Sequence, residues 1–162
     1  MELILMRHAE TESGASYAED SLRPLTENGR NTQRRVGQNM RKLNVRPGIV
    51  LCSPRLRAQQ TAEVTVDAFD VGPVIGTEQM LDGGYPVDQL LNILSKRVSG
   101  LSSDCVILCV GHVPDMGIWM DALLEVGSDN KFKTSSFAHL VFDGAPALGE
   151  GKLKGFYRAD ML

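Results

Sequence analysis

The sequence predicts an α/β fold, a three-layer sandwich with a mostly parallel central sheet and helices on both faces. Short continuous apolar runs, the pattern of strands covered on both sides, alternate along the chain with stretches of helical periodicity. Alternation of this kind marks strand–helix–strand units, whose connections lay helices over the sheet. The length of 162 residues, 43% of them apolar and 23% charged, suits one core. Residues 1–162 are therefore expected to form one domain.

The elements follow in order. Leu3-Ile4-Leu5-Met6 is the first apolar run. Thr26 is an N-cap for a helix running to about Leu43, with Val36, Met40 and Leu43 at helical spacing. Ile49-Val50-Leu51-Cys52 is the second strand, and a helix follows over Arg55 to Ala68. Val71 to Ile75 is a weaker strand, interrupted by Gly72 and Pro73. Val87 to Val98 is a helix with Leu90, Leu91 and Leu94 on one stripe. The run from Cys105 to Val110 is the strongest strand, and a helix from Pro114 to about Glu125 follows it, with the proline in its first turn. Ala138 to Phe142 and Leu153 to Tyr157 are late strands, read as an antiparallel hairpin at one edge.

Composition limits the partners. A net charge of -3 offers nothing to a nucleic-acid backbone and even opposes long-range attraction of a phosphate. Any phosphate site must be built from local groups. Cys52, Cys105 and Cys109 sit in apolar runs without Cys-x-x-Cys spacing, so they read as buried thiols and no zinc site is expected. No apolar run approaches the ~18 residues of a membrane span, and no leader precedes the first strand. The expected compartment is the cytoplasm, without membrane association.

In open parallel sheets, sites form beyond the carboxyl ends of the strands. The first strand ends in Arg7-His8, the second in Ser53-Pro54 followed by Arg55 and Arg57, and the third strong strand in Gly111-His112. Two of the three histidines and several arginines can therefore converge on one crevice. Their chemistry is coherent. A neutral imidazole can attack phosphorus and carry the phosphoryl group covalently. Guanidinium groups match phosphate oxygens bidentately and stay charged. A second histidine can donate to the equatorial oxygens, and the helix start after Ser53 adds backbone N–H groups. The arginines supply the positive charge, so no metal and no cofactor is expected.

Four segments carry a resemblance. Leu5-Met6-Arg7-His8-Ala9-Glu10-Thr11 resembles the Arg-His-Gly signature of the histidine phosphatase superfamily. Arg23-Pro24-Leu25-Thr26-x-x-Gly29 resembles the segment opening its first helix. Cys52-Ser53-Pro54-x-x-Arg57-Ala58-x-x-Thr61-Ala62 resembles its second-strand arginine motif, and Val110-Gly111-His112 its second histidine motif. The four stand in family order. They imply a phosphoglycerate mutase-like fold, His8 as the phosphorylated nucleophile, Arg7 and Arg57 as phosphate clamps and His112 as the second pocket histidine. The resemblance gives Thr11 a place near the pocket and Arg23 a place at its rim. Arg55 reads as a surface residue, because the family arginine is the one before Ala58. His139 matches no motif and reads as structural.

The chain departs from the family at two points. Ala9 stands where glycine is usual, which ordinary backbone torsions would tolerate. Gly14 stands where the mutases carry asparagine, which weakens a mutase reading. The general acid that protonates an ester's departing alkoxide has two candidates, Asp82 and Glu78, neither in a mutase-like context; Asp82 reads equally as a turn residue before Gly83. The Gly83-Gly84-Tyr85-Pro86 stretch is more similar to the compact loop of the SixA-type phosphohistidine phosphatases. A labile P–N bond demands less acid catalysis, and a short chain leaves an open crevice. The expected substrate is a phosphohistidine on another protein, such as a histidine-phosphotransfer domain or a phosphotransferase-system protein, met by a monomer. A phosphatase of small phosphate esters is the alternative, and a non-catalytic phosphoryl-binding module comes behind it.

Overall fold

A computed structural model of the chain describes residues 1–69, 72–98 and 105–162. Six strands form one sheet: β1 (Glu2–Arg7), β2 (Ile49–Cys52), β3 (Val74–Thr77), β4 (Val106–Gly111), β5 (Phe137–Val141) and β6 (Lys152–Tyr157). Their order is β3-β2-β4-β1-β5-β6. The first four are mutually parallel, while β5 and β6 run antiparallel and close one edge, as the late apolar runs predict.

The continuous apolar runs are explained by burial on both faces. Leu3, Leu5, Leu51, Ile107 and Cys109 pack on one face against α3 (Val87–Val98) and α4 (Asp115–Leu123). Ile4, Met6, Val50, Cys52, Leu108 and Val110 pack on the other against α1 (Glu27–Lys42) and α2 (Leu56–Val66). Successive strand side chains alternate between these two layers. Leu90 and Leu94 of α3 are fully buried, so the leucine stripe is a core face. All three cysteines are free thiols, and burial pushes Cys109 up to about 12.

Capping sets the helix starts. Thr26 Oγ1 accepts the N–H of Gly29 at 2.8 Å and donates to Glu10 Oε1 at 2.7 Å. Gly29 is required by close approach, since a Cβ there would lie 2.3 Å from the Glu10 carbonyl oxygen. Helix α2 begins at Leu56 rather than Arg55, whose extended torsions (φ -68°, ψ 136°) make it the cap, and it stops at Val66. Strand β3 lies later than the Val71–Ile75 expected; Val71 is outside the described residues. Pro73 lacks an N–H to donate, so the ladder starts beyond it, pairing Val74 with Ile49. Among the described residues, no helix is long and apolar enough to cross a membrane.

Candidate phosphoryl-transfer site

Strand order places the crevice. Strand β4 inserts between β1 and β2, and the β1–β4 register pairs Arg7 with Gly111. The residues immediately after both strands, His8 and His112, are therefore neighbours, with ring centroids 5.1 Å apart. Backbone bonds extend the ladder into the site: His8 N donates to Gly111 O at 3.1 Å and Ser53 N to Val110 O at 3.0 Å. Arg7, His8, Arg55, Arg57, Asp82 and His112 line one cavity of about 330 Å³, with Gly83, Gly84 and the start of α4 completing its wall.

His8 is 8% exposed, and its Nδ1 lies 2.7 Å from the Ala9 carbonyl oxygen. A carbonyl oxygen only accepts, so Nδ1 carries the proton. In the neutral ring, Nε2 then keeps its lone pair. Burial pushes the His8 pKa down to about 4; the bond to Ala9 opposes this, and the charges of Arg57, Arg7 and Arg23 add to it. Ala9 has no positive φ, so the residue that departs from the family's glycine is accommodated. Its N–H donates to Thr61 Oγ1 at 3.0 Å, and Thr61 in turn donates to the Arg57 carbonyl at 2.6 Å. The turn after His8 is thus fastened to the helix that presents Arg57.

Three buried nitrogens of cavity residues have no hydrogen-bond partner among the described residues: Arg7 Nε, Arg57 Nε and His112 Nδ1. All three can donate. Arg7 is otherwise tied through Nη1 to the Phe132 carbonyl at 3.1 Å. His112 Nε2 and Ser53 Oγ share a bond of 2.8 Å, while Ser53 Oγ lies 3.4 Å from Asp82 Oδ1. When the serine hydroxyl donates along the shorter contact, the neutral ring of His112 carries its proton on Nδ1 and can donate from there. Burial, His8 and the arginines push the His112 pKa down to about 3, against a smaller upward pull from Asp82. A buried anion acceptor such as a phosphoryl group matches this set of donors.

The remaining expected residues divide. Asp82 lines the cavity, ion-paired to Arg55 Nε and 4.0 Å from His112 Nε2. Asp115 holds the adjoining turn by accepting from Gly84 N at 3.1 Å; Gly83 and Gly84 have φ of 112° and 81°, which side-chain-bearing residues rarely adopt. Glu78 is not brought to the cavity. It continues the β2 ladder through Glu78 N to Cys52 O, and its carboxylate pairs with Arg97 of α3. Thr11 is in an isolated bridge with Leu25, and Arg23 donates to the Glu12 carbonyl at 3.2 Å and pairs with Asp20 at 2.8 Å; neither lines the cavity, although the charge of Arg23 reaches His8. His139 is buried in β5 against Glu2 Oε2, away from the crevice. Four residues were passed over as functional: Arg55, a cavity wall and not the surface residue expected; Asp20, which meets Arg23, Arg55 and Arg57; Ser53, beside His112; and Thr61, behind Ala9. Ser53 and Thr61 stood within the quoted motif, but Asp20 carried only its spacing of three from Arg23. Among the described residues, no group of three His, Cys, Asp or Glu side chains is placed to hold a metal ion.

A histidine with an unprotonated Nε2 set among arginines, at the carboxyl ends of parallel strands, is an arrangement suited to phosphoryl groups. Residues 3–82 match the model of the histidine phosphatase superfamily (branch 1). The chain is 37% identical over 125 residues to an uncharacterized protein of Picosynechococcus sp., covering 76% of this chain and 73% of that one. It is 29% identical over 145 residues to the phosphohistidine phosphatase SixA of Escherichia coli (88% and 86%). A solved structure of the protein histidine phosphatase SixA complexed with tungstate superposes with a TM-score of 0.86 at 26% identity, covering 99% of this chain and 98% of that one. The chain belongs to the histidine phosphatase superfamily and has its phosphoglycerate mutase-like α/β fold.

Proposed function

We propose that the protein is a phosphohistidine phosphatase that works through phospho-His8. The observation that carries this is the Nδ1–H bond of His8 to Ala9, which leaves Nε2 as an unprotonated nucleophile beside the unpartnered donors of Arg7, Arg57 and His112. Nε2 attacks phosphorus in line. A P–N bond forms to His8 as the substrate's P–N bond breaks, and the electron pair leaves on the substrate imidazole, which takes a proton from solvent. Water then attacks phospho-His8, releases inorganic phosphate, loses its proton to solvent and returns the electron pair to Nε2. Arg7, Arg57 and His112 stabilise the equatorial oxygens in both steps.

The choice of substrate rests on the acid. Asp82 Oδ1 accepts from Arg55 Nε, which commits that oxygen to an ion pair instead of to the proton an alkoxide would need. Glu78 is out of reach. An alkoxide leaving group would be poorly served, whereas imidazole departs without a strong acid. The likeness to SixA supports the same class. The proposed partner is a cytoplasmic protein bearing phosphohistidine, a histidine-phosphotransfer domain or a phosphotransferase-system protein, acted on by a metal-independent monomer of one domain. The test is kcat/KM for a phosphohistidine protein against a panel of phosphate monoesters. The proposal expects a preference of about a hundredfold or more for phosphohistidine; a preferred ester would overturn it.

A second reading, a phosphatase of small esters, is favoured by the position of Asp82 on the cavity wall. It requires Asp82→Asn to abolish ester turnover.

A further inference from the structure

We propose that Asp20 is a positioning residue that aims Arg55 and Arg57 into the phosphoryl cavity; the inference rests on the functional reading above. Asp20 opens a short 3₁₀ turn over Asp20–Leu22 in the segment between β1 and α1. Its Oδ1 is ion-paired with Arg23, 2.8 Å from Nε, and its Oδ2 accepts from Arg55 Nη1 at 2.5 Å and Arg57 Nη2 at 3.0 Å. Its backbone carbonyl takes Arg57 Nη1 at 2.8 Å. One residue thus binds three guanidinium groups, and it binds Arg57 through both terminal nitrogens.

Direction separates positioning from competition. Arg55 and Arg57 line the cavity and Asp20 does not, so the carboxylate grips the arginines from outside. A guanidinium presents five N–H groups in a rigid fork. Asp20 uses the outer edge of the Arg57 fork and leaves the buried Nε without a partner. Fixing the fork from outside orients the remaining donors and offsets the mutual repulsion of three neighbouring cations. Asp82 completes the arrangement for Arg55 by holding its Nε. With a side chain 52% exposed, Asp20 can contribute little to folding, so its effect belongs to the site.

The test uses Asp20→Asn and Asp20→Glu in the full chain. Inorganic phosphate binding is read by titration calorimetry, turnover by kcat and KM on a phosphohistidine protein, and folding by Tm. For Asp20→Asn we expect phosphate affinity and kcat/KM to fall about ten- to a hundredfold, as for other residues that orient ligands from behind, with Tm within about 2 °C of the parent. Asp20→Glu, which keeps the charge, restores part of both. Unchanged phosphate binding and turnover in Asp20→Asn would overturn the inference, and so would tighter phosphate binding, which would make Asp20 a competitor for the arginines. The phosphate titration needs no substrate. If the parent protein cleaves no phosphohistidine yet loses phosphate affinity on Asp20→Asn, the functional reading falls and the role of Asp20 stands.

Discussion

The Nδ1 of His8 lies 2.7 Å from the carbonyl oxygen of Ala9, and this bond sets the direction in which the imidazole can react. With the proton committed to the backbone, the lone pair of Nε2 is left for an electrophile. His112 stands 5.1 Å away, ring to ring, also neutral near physiological pH.

Acid should act late on turnover and early on stability. His8 is pushed to about 4 and His112 to about 3, so both stay neutral in the folded chain well below pH 6.5. The acid limb of kcat/KM should therefore lie near pH 4 and not near 6.5, measured on substrate stable at that pH. In the unfolded chain both rings take protons near ~6.5. Below that pH the unfolded state holds more protons than the folded one. The stability these groups confer is thus fully present above 6.5 and lost as pH falls toward 4, by at most about 1.4 kcal/mol per pH unit for each ring. Denaturant titrations between pH 7.5 and 4.5 should show a falling midpoint. A midpoint that does not move would contradict the burial of two neutral rings.

Arg57→Lys should lower kcat/KM by about a hundredfold despite keeping the charge. Lysine is a point charge and cannot present a planar fork to phosphoryl oxygens. Steady-state kinetics with phosphohistidine decide it; a lysine variant within about threefold of the parent would show that charge alone suffices.

Glu78→Gln and Asp82→Asn should behave differently. Glu78 pairs with Arg97 outside the cavity, so its amide variant should keep turnover within about twofold. Asp82→Asn loosens Arg55 and the Ser53 contact, and should lower kcat/KM moderately, about tenfold, without abolishing phosphohistidine cleavage. Complete loss would make Asp82 an essential acid.

Thr61→Val should destabilise the fold by about 1–3 kcal/mol, since it removes the acceptor for a buried Ala9 N–H and the donor to Arg57 O. Urea unfolding reads the change directly. Because the same bonds tie the turn after His8 to the helix that carries Arg57, kcat should fall as well.

Much of this was legible in the chain before folding. The runs at Leu3–Met6, Ile49–Cys52 and Cys105–Val110 announced strands covered on both faces, and residues placed just after such strands had to meet at one end of the sheet. Hence Arg7, His8, Arg57 and His112 were readable as a group. Strand β3 was weak because it is an edge strand with Val74 largely exposed, so burial left no apolar run to read. Glu78 and Arg55 changed places for one reason: the direction of a long charged side chain depends on a partner distant in sequence. Arg97 draws Glu78 toward α3, while Asp20 and Asp82 draw Arg55 into the cavity wall. Asp20 was invisible because its role exists only once residues 35 and 37 positions away fold beside it.

The most direct test of the central claim is to trap the intermediate. Protein mixed with a ³²P-labelled phosphohistidine substrate and quenched in base within milliseconds should carry label that is stable in alkali, labile in acid and located on the peptide containing His8, and His8→Ala should carry none and turn over nothing. Undiminished turnover by His8→Ala, or rapid turnover by the parent with no label at His8, would contradict the account.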